Sequence, residues 1–173
     1  MKVWLCCATL LTSLAAFGQQ PPVNAPLLDH LVGNWAMEGT MVGEHRIDDV
    51  QAEWVIDHHY LRIHEKARQK NSKGQLYEAF IYIAWNQEKS VGGKNQFSCV
   101  WLDIWGGLDI RSLGVAVAKE NELPFIFMEQ NGEPGFSNVF TYDPATDSWE
   151  WRLDNVVKGE MKEFGRLKLS RKK

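Results

Sequence analysis

The sequence predicts an all-β fold: an antiparallel up-and-down β-barrel of about ten strands, preceded by a short N-terminal helical turn. Three observations carry that expectation. Apolar and polar residues alternate at period two along most of the chain after residue 35. The alternating segments are short and are separated by breaks rich in Gly, Pro, Asn and Asp, residues that supply positive φ, a fixed φ or local turn hydrogen bonds. No break is long enough to hold the crossover helix of a parallel pair, so neighbours must run antiparallel, and rolling such a meander closed removes both sheet edges.

The chain opens on MKVWLCCATLLTSLAAFGQQ. Lys2 provides a positive start, Val3 to Ala16 an apolar run, and Ala16-Phe17-Gly18 places small residues at the two positions a signal peptidase reads. Residues 1–18 are therefore expected to be a secretory signal peptide cleaved after Gly18, and the mature protein to be secreted or periplasmic. The run falls short of the roughly 20 apolar residues a spanning helix takes, so no stable membrane anchor is expected. Cys6 and Cys7 follow Trp4 and Leu5, not the small residues that a lipoprotein anchor requires. With those two removed, Cys99 is alone: no intrachain disulfide can form, and no CxxC or Cys/His spacing points to zinc. Its setting, FSCVWLDIW, reads as a buried inert thiol.

QQPPVNAP (19–26) reads as a flexible lead-in, and 27–173 as one barrel domain. In LLDHLVGN (27–34), Leu27, Leu28 and Leu31 stand near helical spacing and Asp29 can cap a single turn, suited to covering one barrel end. Strands are expected at 35–41, 50–57, 60–68, 76–85, 97–104, 110–118, 124–129, 137–142, 148–154 and 161–169. The breaks KNSKGQ, WNQEKSVGGKN, WGGLD, KENELP, NGEPG, DPATDS and KGE read as turns. Net charge is −3, with Lys and Arg dispersed apart from the terminal LSRKK, which reads as a solvated end; nucleic acid is not an expected partner. Nothing in the pattern sets an oligomeric state.

Gly33-Asn34-Trp35 opens the first strand. This Gly-x-Trp resembles the signature of lipocalins and other calycins. GNWAMEGTM, EWVIDHHYLRIHE, YIAWN and VWLDIWG follow in the running order of secreted bacterial lipocalin-like domains of unknown function. The resemblance covers roughly 28–169 and implies that Gly33 turns the chain into the first strand while Trp35 plugs one barrel end. It also implies a cation near the last strand stacked on Trp35, with Arg166 expected in that place and Arg152 second; a guanidinium over an indole is attracted by the ring quadrupole. Nitrobindin-type haem barrels have a similar architecture, but hold haem by a His near the C-terminus, which FGRLKLSRKK lacks. No cofactor is expected.

If Trp35 points inward, parity also turns Met37, Trp54, Ile56, Leu61 and Ile63 inward, and Trp101, Trp149 and Trp151 are candidates by the alternation of their own strands. These aromatics either fill the barrel or line a cavity. Parity places Glu65 among Leu61, Ile63 and Ala67, and sets Asp103 on one face with Trp101 and Trp105. A carboxyl inside a barrel must be paired, hydrated or protonated, and Arg62 and Arg111 are the nearest candidate partners. His58 and His59 are adjacent in a turn-like DHHY, and His64 lies roughly 20 Å from His58 along a straight strand, too far to share an ion. No nucleophile elbow, HExxH or phosphate loop occurs, so no catalytic residue or metal ligand is assigned.

The expected function is to bind or carry a small, largely apolar molecule in the barrel, with Trp54, Glu65, Tyr82, Trp101 and Trp151 as its ligand-binding residues. Tyr82 enters because its strand has no polar face to decide by. Two alternatives stand: a barrel enzyme using Glu65 or Asp103 as acid/base for isomerisation or hydrolysis, and a filled-barrel interaction module.

Overall fold

A computed structural model describes residues 25–91 and 94–173, with side chains for all of these except 87–91 and 94–95. The signal-peptide reading, and the lead-in up to residue 24, lie outside the described residues. A helical turn, α1 (Pro26–Asp29), precedes ten strands: β1 (Gly33–Met41), β2 (Glu44–Val55), β3 (Tyr60–Ala67), β4 (Glu78–Val91), β5 (Lys94–Asp103), β6 (Leu113–Val117), β7 (Glu122–Met128), β8 (Pro134–Asp143), β9 (Ser148–Val157) and β10 (Glu160–Arg171). Each pairs antiparallel with its sequence neighbours, and β10 pairs with β1 to close the barrel.

The alternation behind the prediction is the inward face. On β3, Leu61, Ile63, Glu65 and Ala67 are buried while the residues between them are not. Trp149, Trp151 and Leu153 do the same on β9, and Leu123, Phe125 and Phe127 on β7. Boundaries differ where the pattern is weak. β2 begins at Glu44 because its first residues carry charges inward, and its turn comes early: Ile56, expected inside, has φ 50° and is 68% exposed. Residues 110–112, expected as strand, form a 3₁₀ turn whose start Asp109 caps by accepting from the Arg111 backbone N–H. β4 and β5 continue where WNQEKSVGGKN predicted a turn. Beyond Ala84 and Gln96 the described pairing is between these two strands alone.

One end of the barrel is sealed. α1 lies across it, with Leu28 and Leu31 fully buried. Trp35 is fully buried below, its Nε1 donating to the Leu31 carbonyl at 2.7 Å, and Trp149 Nε1 donates to the His30 carbonyl at 3.4 Å. The cation on Trp35 is Arg171, not Arg166. The Arg171 guanidinium centres 4.1 Å over the indole and donates to the Val32 and His30 carbonyls at 2.9 and 3.0 Å. β10 runs past residue 169, so Arg171 is the residue opposite Trp35, whereas Arg166 stands opposite Thr40. Arg166 instead alternates with inward Leu167 and binds Asp154 at 2.6 Å. Gly33 is required here: with φ 137°, a Cβ on it would stand 2.5 Å from Arg171 Nη1.

Candidate functional site

The strands run from the Trp35 end toward a second end, where β1 meets β2, β3 meets β4, β5 meets β6, β7 meets β8 and β9 meets β10. A cavity of about 370 Å³ opens there, within the range usual for small-molecule sites. Trp101, Phe127, Phe136, Leu153 and Phe164 form its apolar wall, and Tyr77 and Asp103 bring polar groups to it. Trp101 meets Phe127 edge-on at 6.4 Å and Trp151 at 5.6 Å; Trp151 stacks in turn on Phe140 at 4.6 Å. Trp151 is therefore part of the packed floor, its Nε1 donating to the Asn138 side-chain carbonyl. Phe164 reaches the wall through a β-bulge: Glu163 pairs with Asp154 and Gly165 with Leu153, leaving Phe164 as the extra residue. Its ring meets Phe136 edge-on at 5.4 Å.

Beside this wall lies a polar cluster. Glu65, Ala79 and Asp103 occupy one cross-strand row on β3, β4 and β5, with the small Ala79 between the two acids. Arg46, from the charged start of β2, donates to both Asp48 oxygens, Nε to Oδ1 at 3.3 Å and Nη2 to Oδ2 at 2.6 Å. Its guanidinium centres 5.1 Å over the Tyr77 ring, and Nη2 is 3.9 Å from Glu65 Oε1. Trp101 Nε1 donates to the Tyr77 hydroxyl at 3.1 Å.

Glu65 is fully buried, and neither of its oxygens has a hydrogen-bond partner among the described residues. Burial pushes its pKa well up, the Asp48 carboxyl beside it pushes the same way, and Arg46 opposes them. The Tyr77 hydroxyl is likewise pushed up, first by burial and then by Glu65 and Asp103. Burial works against the Arg46 charge, but Asp48 and Glu65 more than offset it and hold its pKa above the usual value.

The rim is apolar and open. Asp103 Oδ1 accepts from the Trp105 backbone N–H at 2.9 Å, and the Trp105 ring tilts onto Tyr77 at 5.1 Å. Ile104, Trp105, Leu108, Ile110 and Leu113 are all substantially exposed around the 3₁₀ turn.

Of the ligand-binding residues read from sequence, Trp101 lines the cavity, Glu65 stands in the polar row beside it, and Trp151 packs beneath. Trp54 and Tyr82 do not belong with them. Trp54 sits at the sealed end, donating from Nε1 to Asp29 Oδ1 at 2.8 Å and stacking on His58 at 4.1 Å. Tyr82 faces outward between Arg62 and Val100, because Ile81 and Ile83 take the inward positions. The expected salt-bridge partners of the interior acids also differ: Arg62 pairs with Glu53 and Arg111 with Asp109.

Sequence reasoning missed Arg46, Asp48, Tyr77, Phe127, Phe136 and Phe164. Parity carried back from Val50 and Ala52 would have set Arg46 and Asp48 inward; no local signal marks the bulge that swings Phe164 in. No family model matches the chain, and no curated protein matches it.

Proposed function

We propose that this protein is a secreted or periplasmic member of the calycins that binds or carries a small, largely apolar molecule in the open-end cavity. The observation that supports this reading is an aromatic-walled cavity at one end of a barrel whose other end is sealed by α1 and Trp35. Affinity would come chiefly from apolar burial, roughly 25 cal/mol per Å² before ordering costs. Native mass spectrometry of protein purified from its own host tests it. A retained small molecule, absent from a Leu153→Trp variant that fills the cavity, is the expected result. A molecule retained equally by that variant would place binding elsewhere and overturn the reading.

One observation favours a second reading, in which the barrel is an acid/base enzyme: Glu65 is a fully buried acid, its pKa raised by burial, in one row with Asp103. Turnover of a carbonyl or ester substrate that is lost in Glu65→Gln would select it.

A further inference from the structure

We infer that the molecule taken by this cavity is an organic cation, an amine on an aromatic or alicyclic body, whose charge is met by Asp103 and, in the row behind it, Glu65. The inference rests on the cavity reading above and names its ligand class.

Charge balance comes first. Asp48, Glu65 and Asp103 surround a single interior guanidinium, Arg46, and both arms of its fork are bonded to Asp48. Arg111, at the cavity lining, is spent in the same way on Asp109, with Nε and Nη2 on its carboxylate. Among the described residues Asp103 therefore has no cation paired with it, and Glu65 has only Arg46, at 3.9 Å and shared with Asp48. A fatty acid or phosphate would add a further negative charge beside Asp103, where the nearby guanidiniums, Arg46 and Arg111, are already bonded to carboxylates. An ammonium supplies the missing charge.

The second observation is independent of that count. Glu65 is completely buried on the inward face, and among the described residues no hydrogen-bond donor reaches either of its oxygens; the Asp48 carboxyl and the Arg46 guanidinium, at 3.9 Å, are its neighbours. Buried polar atoms without a donor are costly and rare, and these lie in the same cross-strand row as Asp103, which lines the cavity. Adjacent strands are about 4.8 Å apart, so the Glu65 and Asp103 backbones stand about 10 Å apart across Ala79, a gap that two acidic side chains and one ammonium can span.

The walls suit the same ligand. Rings of Tyr77, Trp101, Trp105 and Phe127 border the cavity, and a cation over such faces is attracted, more strongly where water is excluded. Tyr77 already carries one, the Arg46 guanidinium at 5.1 Å. An ammonium nearby favours the ionised form of Glu65, so any proton that the acid holds is released to solvent; no other bond is made or broken. The charged and titratable groups facing Glu65 are Arg46 and Asp48 from β2, Tyr77 from the segment before β4, and Asp103 from β5.

Isothermal titration calorimetry on the intact barrel tests this with four probes of one shape: 1-naphthylmethylamine, 1-naphthylmethanol, 1-naphthoate and 1-acetylnaphthalene. The amine is expected to bind at least about tenfold tighter than the alcohol. Its heat should vary with buffer ionisation enthalpy, reporting a released proton. Asp103→Asn should erase most of the preference, and Glu65→Gln should abolish the proton release. The alcohol or ketone binding as tightly as the amine, or the naphthoate binding best, would overturn the cation assignment and leave the cavity reading intact. Failure of all four probes to bind would overturn both.

Discussion

The Arg171 guanidinium stands 4.1 Å above the Trp35 indole, on the residue directly opposite Trp35 in the β1–β10 pair that closes the barrel. That one side chain joins the last strand to the first, to the α1 segment through the His30 and Val32 carbonyls, and to the β8–β9 turn through Asp147 at 2.5 Å. Closure of the sheet and sealing of its end are thus one interaction.

Arg171→Ala should cost about 1–2 kcal/mol in urea denaturation, a figure kept low because the side chain is more than a third exposed and water screens its ion pair. Arg171→Lys should recover only part, since an ammonium lacks the fork that reaches two carbonyls and a carboxylate together. The Trp35 indole N–H resonance should move in both variants and stay put in Arg166→Ala. The opposite pattern would return the sealing role to Arg166.

Gly39 sits opposite Leu167 in the β1–β10 pair. A Cβ there would fall well inside van der Waals distance of the Arg166 carbonyl oxygen and about as close as 2.9 Å to the Leu167 Cα. These are backbone atoms that cannot swing aside. Gly39→Ala should therefore cost about 2 kcal/mol or more, read as a fall in the denaturation midpoint. An unchanged midpoint would mean that the two strands can part without loss.

Most of the barrel was legible in the sequence because burial on one face leaves a period-two mark, as in Leu61–Ile63–Glu65–Ala67. The site was less legible, for three physical reasons. Arg46 and Asp48 are charged residues facing inward, so the alternation that reveals a strand fails where the polar cluster begins. Around Tyr82 both faces are apolar, since the outer face is half-buried too, and parity has no reference. Phe164 faces the cavity only because of a bulge, which shifts register without a composition cue, and the strand pattern fades at 169, so the sequence points to Arg166 and stops short of Arg171.

Cys99 packs on the inward face of β5 against Gly114, where burial pushes its thiol up to about 12. A thiol that is neutral and sealed does not attack a disulfide reagent. Folded protein at pH 8 should leave Ellman's reagent unreacted, and the thiol should become reactive with the unfolding rate as denaturant is added. Rapid labelling of the folded protein would show that the β5–β6 wall opens on its own.

Glu65 sets the sign of the pH dependence. Its pKa in the folded protein lies well above the 4.5 of the unfolded chain, chiefly through burial and then through Asp48. Folding therefore takes up a proton at any pH between those two values, and the slope of stability with pH is negative there. Its contribution is complete below about 4.5 and is lost as pH rises through the folded value. Asp49 works the other way: Arg68 and Lys172 hold it down at about 2, so its share is present above the unfolded value and lost as pH falls through 2. From pH 5 upward the Glu65 slope should dominate. Glu65→Gln removes the titration while keeping the shape, so the difference in melting temperature between variant and wild type should drift in the variant's favour as pH rises from 5 and level off once the folded-state titration is passed. Parallel curves across that range would mean that Glu65 is already ionised when folded, with Arg46 shared between it and Asp48.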